Sequence, residues 1–251
     1  MSEFRIIPIL LLKGSGFVKT TRFKKPIYLG DSLNIVKLLN DKEADELTIL
    51  NIGNHDDNGI NYRLLAKLAS ECFMPLSYGG GIDSLDSASR ILGSGYEKII
   101  LNTKLNSQKL VESIVGKFGS SSTVACVDVR KNWMGQYIPY SSNGRRKVSK
   151  ELLQYVKELQ SMGIGEIILQ SIDRDGTYTG YDYKLINEIA TQIDIPLVAC
   201  GGAGDIQDFR LAINSGASAV AAGSLFSFKA KGQGVLINYP TREIVKKLFH
   251  N

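Results

Sequence analysis

The chain repeats one phrase at long range. Pro75-Leu76 opens an apolar run that ends in Gly79–Gly81 and passes through a helical pattern to Ser94-Gly95; Pro196-Leu197 opens another that ends in Gly201-Gly202 and reaches Ser215-Gly216. From Ser94 to Ser215 is 121 residues, and the same offset carries Asn102-Thr103 onto Gly223-Ser224, while DELTILNI pairs with GEIILQSI at an offset of 120. A repeat of this length in 251 residues predicts one domain made of two fused halves, about 1–120 and 121–251.

Within each half, short β-branched or apolar runs alternate with amphipathic stretches. The runs are FRIIPILLL, ELTILNI, MPLSYGG, KIILNT, TVACVDV, EIILQSI, IPLVACGG and AVAAGSL, and segments such as NYRLLAKLASE and KELLQYVKELQSMG between them place apolar residues at i, i+3 and i+4. Eight β/α units in a chain of this length predict a (β/α)₈ TIM barrel, with a doubly wound open sheet as the rival. In such a barrel the carboxyl ends of the strands carry the chemistry and the amino ends form the opposite face.

Composition narrows the function classes. No apolar run is long enough to span a bilayer, and MSEFRIIPILLLKG is too short in its apolar part to resemble a signal peptide, so a cytoplasmic protein without a membrane partner is expected. Cys72, Cys126 and Cys200 lie far apart in apolar contexts and read as buried thiols; with only His55 and His250 besides, no metal site and no cofactor are expected. The formal charge of +5 is concentrated in TRFKKP and NGRRKVSK, without the interleaved aromatics of a nucleic-acid surface, and fits a phosphorylated small molecule or an acidic partner.

At the carboxyl ends, Gly79–Gly81 and Asn102-Thr103 in one half, and Asp175-Gly176, Gly201-Gly202 and Gly223-Ser224 in the other, can leave backbone N–H groups open to an anion. Any one of these is equally well an unliganded tight turn. Their duplication points to a ligand with a phosphate at each end.

The segments RII (5–7), GGGI (79–82), NT (102–103), SIDRDGTYTGYD (171–182) and GGAG (201–204) resemble the cyclase subunit of imidazole glycerol phosphate synthase, the HisF family. The resemblance runs over nearly the whole chain. It implies a (β/α)₈ barrel that receives ammonia from a HisH-like glutaminase and cyclises a bis-phosphorylated substrate. By position, Gly81, Asn102 and Thr103 would hold one phosphate, and Asp175, Gly176, Gly202, Gly223 and Ser224 the other. Arg5, Glu46, Lys98 and Glu166, which open apolar strand runs, match the family's ammonia gate, with surface salt bridges as the plain alternative; Glu97 matches an acidic position at the glutaminase interface.

The family's acid/base pair is incomplete. Asp128 in ACVDVRK matches the aspartate of the fifth strand, but RIIPILLLKG puts Leu11 where the first-strand aspartate belongs, and residues 8–12 hold no titratable side chain. Asn51 also replaces an aspartate, and YSSNGRRKVS is more basic than the family's pattern. Lys19 matches a lysine of the lid over the substrate, expected here in the loop after the first strand. Asp128 is then either a working acid/base or a relic that caps a turn. The resemblance to paralogues of surface-polysaccharide pathways implies a barrel that passes ammonia to a sugar amidotransferase; a true cyclase of histidine biosynthesis is the alternative.

Overall fold

A computed structural model describes residues 4–53, 59–229 and 232–250; His55 and the first three residues lie outside it. Twelve strands form one sheet: β1 (Arg5–Lys13), β2 (Gly16–Thr21), β3 (Lys24–Asp31), β4 (Leu47–Asn51), β5 (Leu76–Gly79), β6 (Lys98–Leu101), β7 (Thr123–Lys131), β8 (Tyr137–Ser141), β9 (Arg146–Lys147), β10 (Glu166–Ser171), β11 (Leu197–Cys200) and β12 (Ala219–Ala222). The helices are α1 (Ser32–Asp41), α2 (Tyr62–Glu71), α3 (Leu85–Leu92), α4 (Gln108–Phe118), α5 (Leu152–Ser161), α6 (Tyr183–Ala190), α7 (Gln207–Asn214), α8 (Ser224–Ser227) and α9 (Arg242–His250).

Eight strands, β1, β4, β5, β6, β7, β10, β11 and β12, pair in parallel in that order, and β12 returns to β1 with Arg5 opposite Ala219. The sheet is therefore a closed barrel, and the open-sheet rival is excluded. These strands are apolar on both faces because helices cover the outside while side chains fill the bore. Ile7, Ile9, Ile100, Val124, Ile168 and Val198 pack inside with Cys126 and Cys200, and a larger apolar layer lies between barrel and helices. Polar residues set the helix starts: Asp31, Asn61 and Asp182 each accept a backbone N–H of the first turn of α1, α2 and α6.

Two excursions rise from the carboxyl ends of the barrel strands. After β1 the chain folds back as β2 and β3, antiparallel, rather than as the expected loop. Its turn places Arg22 and Phe23 at φ 51° and 61°, a conformation usually given to glycine or asparagine. After β7, β8 and β9 continue the sheet antiparallel, so the basic insertion is a hairpin as well.

Candidate functional site: a charged ring below and a cavity above

Glu46 precedes β4, while Arg5, Lys98 and Glu166 open β1, β6 and β10; β4, β6 and β10 are alternate strands, whose inward side chains share a layer across the bore, and Arg5 of β1 joins them. Arg5 Nη1 lies 2.7 Å from Glu46, and its Nη2 contacts Glu166; Lys98 Nζ lies 2.9 Å from Glu166 and 3.5 Å from Glu46. Each acid thus touches both bases. Ser77 Oγ donates to Glu46 at 3.0 Å. Burial alone would raise the Glu166 carboxyl, but Arg5 and Lys98 more than offset it and hold it below the usual carboxylate range. Arg5 is held above its usual value because the two glutamates outweigh its desolvation. Glu97, exposed beside Lys98, lies on the same face, its N–H donating to the Leu76 carbonyl at 2.9 Å.

At the other end the strand termini surround a cavity of about 550 Å³ that brings together Lys19, Gly81, Asn102, Thr103, Asp128, Asp175, Gly176, Gly202, Gly223 and Ser224. Leu11, Leu50, Ile9 and Ile100 also line it, as do Cys126 and Cys200. The cysteines therefore belong to the cavity as well as to the core. Lys13, Lys104, Arg145 and Gln170 are further lining residues that sequence reasoning did not single out. Gln170 was reachable by counting inward positions from Glu166; Arg145 arrives through the hairpin.

Asp128 is 5% exposed. Burial pushes its carboxyl up to about 7, against the lowering effect of hydrogen bonds from Asn102 and Cys126. Asn102 Nδ2 donates to Asp128 at 3.1 Å and to the Cys126 carbonyl at 2.9 Å, and its Oδ1 accepts the Ser142 N–H at 3.1 Å. The carboxamide is thus spent on positioning Asp128, so an anion at Asn102-Thr103 must be met by the backbone where the short 3₁₀ turn (Thr103–Asn106) begins.

Lys19 is 6% exposed, on β2, and its Nζ lies 2.8 Å from Asp175 Oδ1. The expected loop placement of Lys19 is corrected: the residue lies on a strand of the β2–β3 hairpin and is buried there. Asp175 is committed likewise, since its N–H donates to the Ser171 carbonyl at 3.0 Å and its carbonyl accepts the Arg22 N–H at 2.9 Å. Lys19 crosses directly over Gly223: a Cβ there would lie 3.0 Å from the lysine Cε.

The glycines mark close backbone passages that recur at the sequence repeat. A Cβ on Gly80 would lie 2.2 Å from the Asn51 carbonyl oxygen, and one on Gly201 2.6 Å from that of Ser171. Gly81, Gly176 and Gly202 all hold left-handed φ values, of 76°, 69° and 117°. Among the described residues no group of three or more His, Cys, Asp or Glu could hold a metal ion, and no helix is long and apolar enough to cross a membrane.

The chain is similar over most of its length to known proteins. Residues 5–231 match the family described as histidine biosynthesis protein. A Pseudomonas aeruginosa protein named "Putative imidazole glycerol phosphate synthase subunit hisF2" is 46% identical over 243 residues, 96% of this chain and 97% of its own. A Leptospira interrogans protein with the corresponding HisF name is 43% identical over 254 residues, covering 100% of both chains. The imidazole glycerol phosphate synthase subunit HisF of Helicobacter hepaticus is 37% identical over 227 residues, 90% of each chain. The chain belongs to the histidine biosynthesis protein family and, within it, to the HisF family.

Proposed function

We propose that this HisF-type barrel takes ammonia from a HisH-type glutaminase at the face bearing Glu97 and the charged ring, and passes it through the bore to an acceptor enzyme. The acceptor is a sugar amidotransferase acting on a nucleotide sugar in surface-polysaccharide synthesis. The observation that carries the reading is a mutually bonded Arg5–Glu46–Lys98–Glu166 ring at one end of a bore whose other end has Leu11 in place of an acid. Between them the wall is apolar, suited to neutral ammonia and poor for ammonium. Arg5 and Lys98, with side chains 33% and 20% exposed, are the accessible members of the ring; the two glutamates are buried. The cavity above is kept for a phosphorylated ligand, met by the backbone at Gly81, Thr103, Gly176, Gly202 and Ser224 and by Lys19 over Gly223.

A second reading, a cyclase/lyase of histidine biosynthesis, is favoured by Asp128. A carboxyl with a pKa of about 7 can both take and return a proton near neutral pH. The deciding experiment is turnover of the bis-phosphorylated substrate with added ammonium by the chain and by its Leu11→Asp variant. The conduit reading expects none from the unmodified chain and some from Leu11→Asp. Turnover by the unmodified chain on the order of 1 s⁻¹, a rate ordinary for enzymes, overturns it in favour of the cyclase.

A further inference from the structure

The hairpin between β7 and β8 ends in a turn that carries the chain's single tryptophan. Trp133 is 92% exposed and Met134 62%. The turn beneath them is firmly built. Asn132 Oδ1 accepts the N–H groups of Met134 and Gln136, each at 2.9 Å, and Asn132 Nδ2 donates to Gln136 Oε1 at 2.8 Å. An indole displayed in solvent on an ordered turn loses little backbone freedom on binding, which suits an anchor residue at a protein interface.

Beside the turn, between this hairpin and the loop from β10 to α6, lies a cleft of about 460 Å³ separate from the barrel cavity. At its floor Asp182 accepts from Tyr137 Oη at 2.8 Å and pairs with Lys131 Nζ at 3.1 Å, while capping α6. Arg174, with Nη1 on the carbonyls of Thr179 and Gly180, lines the same cleft. An ammonium and a guanidinium together carry more donors than these partners use, so an incoming carboxylate finds hydrogen bonds there.

We infer that Trp133 with the Lys131/Arg174 cleft is the docking face for the enzyme that receives ammonia from the barrel, a partner offering an apolar socket to the indole and hydrogen-bond acceptors to the cleft. The inference rests on the conduit reading above. Position supports it: β7 runs from Asp128 in the cavity wall to Lys131 in the cleft within three residues, about 10 Å of strand, so a protein seated on Trp133 lies beside the bore's exit. Position selects the occupant: in the conduit reading the glutaminase sits at the opposite end of the bore, and Arg130, Lys131 and Arg174 are balanced by Asp173 and Asp182, so the indole rather than net charge carries the contact. Against a nucleic acid, Asp173 and Asp182 interrupt the cations in the cleft, and Met134 stands where a second stacking ring would be needed.

The test is a photo-crosslinking amino acid at position 133 of the full chain, expressed in its own cell with the glutaminase. The expected adduct is an enzyme that forms an amide or amidine bond at the expense of a nucleotide; an adduct with the glutaminase, a second copy or RNA, or no adduct, overturns the inference. With the three proteins purified, Trp133→Ala and Met134→Asp should each lower glutamine-driven product formation by about 10-fold or more, as loss of an anchor does. Product formation on added ammonium and glutaminase activity should stay unchanged, and the single tryptophan's emission should shift to the blue when the captured enzyme is added to the unmodified chain. Unchanged glutamine-driven transfer in both variants overturns the docking face while leaving the conduit standing. A captured enzyme that uses free ammonium but takes none through the unmodified barrel defeats the conduit reading, and the docking proposal with it.

Discussion

Lys19 Nζ lies 2.8 Å from Asp175 Oδ1 in a setting where both residues are buried, joining the hairpin over β1 to the loop after β10. Breaking a buried pair from one side leaves an uncompensated charge, whereas removing both charges does not. Lys19→Met is expected to destabilise the chain by about 2–4 kcal/mol, and Lys19→Met with Asp175→Asn by clearly less. Urea unfolding of the three variants measures this; equal losses in single and double variants would show that the pair is not coupled.

Asp128 makes the opposite demand. Its carboxyl is raised from 3.8 to about 7 by burial, so between those values the folded state holds a proton that the unfolded state has released. Stability therefore falls as pH rises through this window and levels off above about 7. Asp128→Asn should stabilise the chain at pH 8, and the gain should be about 2 kcal/mol smaller at pH 5.5. Thermal melts at the two pH values decide it; a gain independent of pH contradicts the assignment.

The glycine turns differ in what they require. A Cβ on Gly202 would lie 2.2 Å from the Gly180 carbonyl oxygen at φ +117°, while Gly135, at φ +80°, has nothing within 4 Å. Gly202→Ala should cost more than about 3 kcal/mol, backbone displacement added to strain, and Gly135→Ala about 1 kcal/mol, the strain alone. Comparable melting temperatures for the two variants would remove the argument that Gly202 serves close backbone approach.

These sites were not equally legible in the sequence. Arg5, Glu46, Lys98 and Glu166 stand at the starts of apolar runs, and strand geometry alone sends such residues to one end of the bore. The glycines of the cavity announced themselves by repetition. Lys19 could not be placed, because GFVKTT does not alternate cleanly and its hairpin turns on Arg22-Phe23, a pair with no turn signal that holds positive φ in the folded chain. The support of Asp128 by Asn102 was equally hidden. It depends on β6 lying beside β7 and on Ser142 returning from the next hairpin, relationships that no spacing within one segment encodes.

The charged ring offers the sharpest measurement, because its four contacts form a closed cycle. Glu166 is held below its usual pKa by Arg5 and Lys98; its contribution is present above the unfolded value of 4.5 and is lost as pH falls through the lower folded value. Lys98→Met leaves two buried glutamates with Arg5 alone and should cost about 2–3 kcal/mol, less than for a fully buried cation because the lysine side chain is 20% exposed. Adding Glu166→Gln removes the excess negative charge and leaves Arg5 paired with Glu46 at 2.7 Å. The double variant should therefore recover at least about 1 kcal/mol relative to the sum of the two single variants. Urea unfolding at pH 7 supplies all three values, and additivity would mean that Lys98 and Glu166 are neighbours in the ring without being coupled in it.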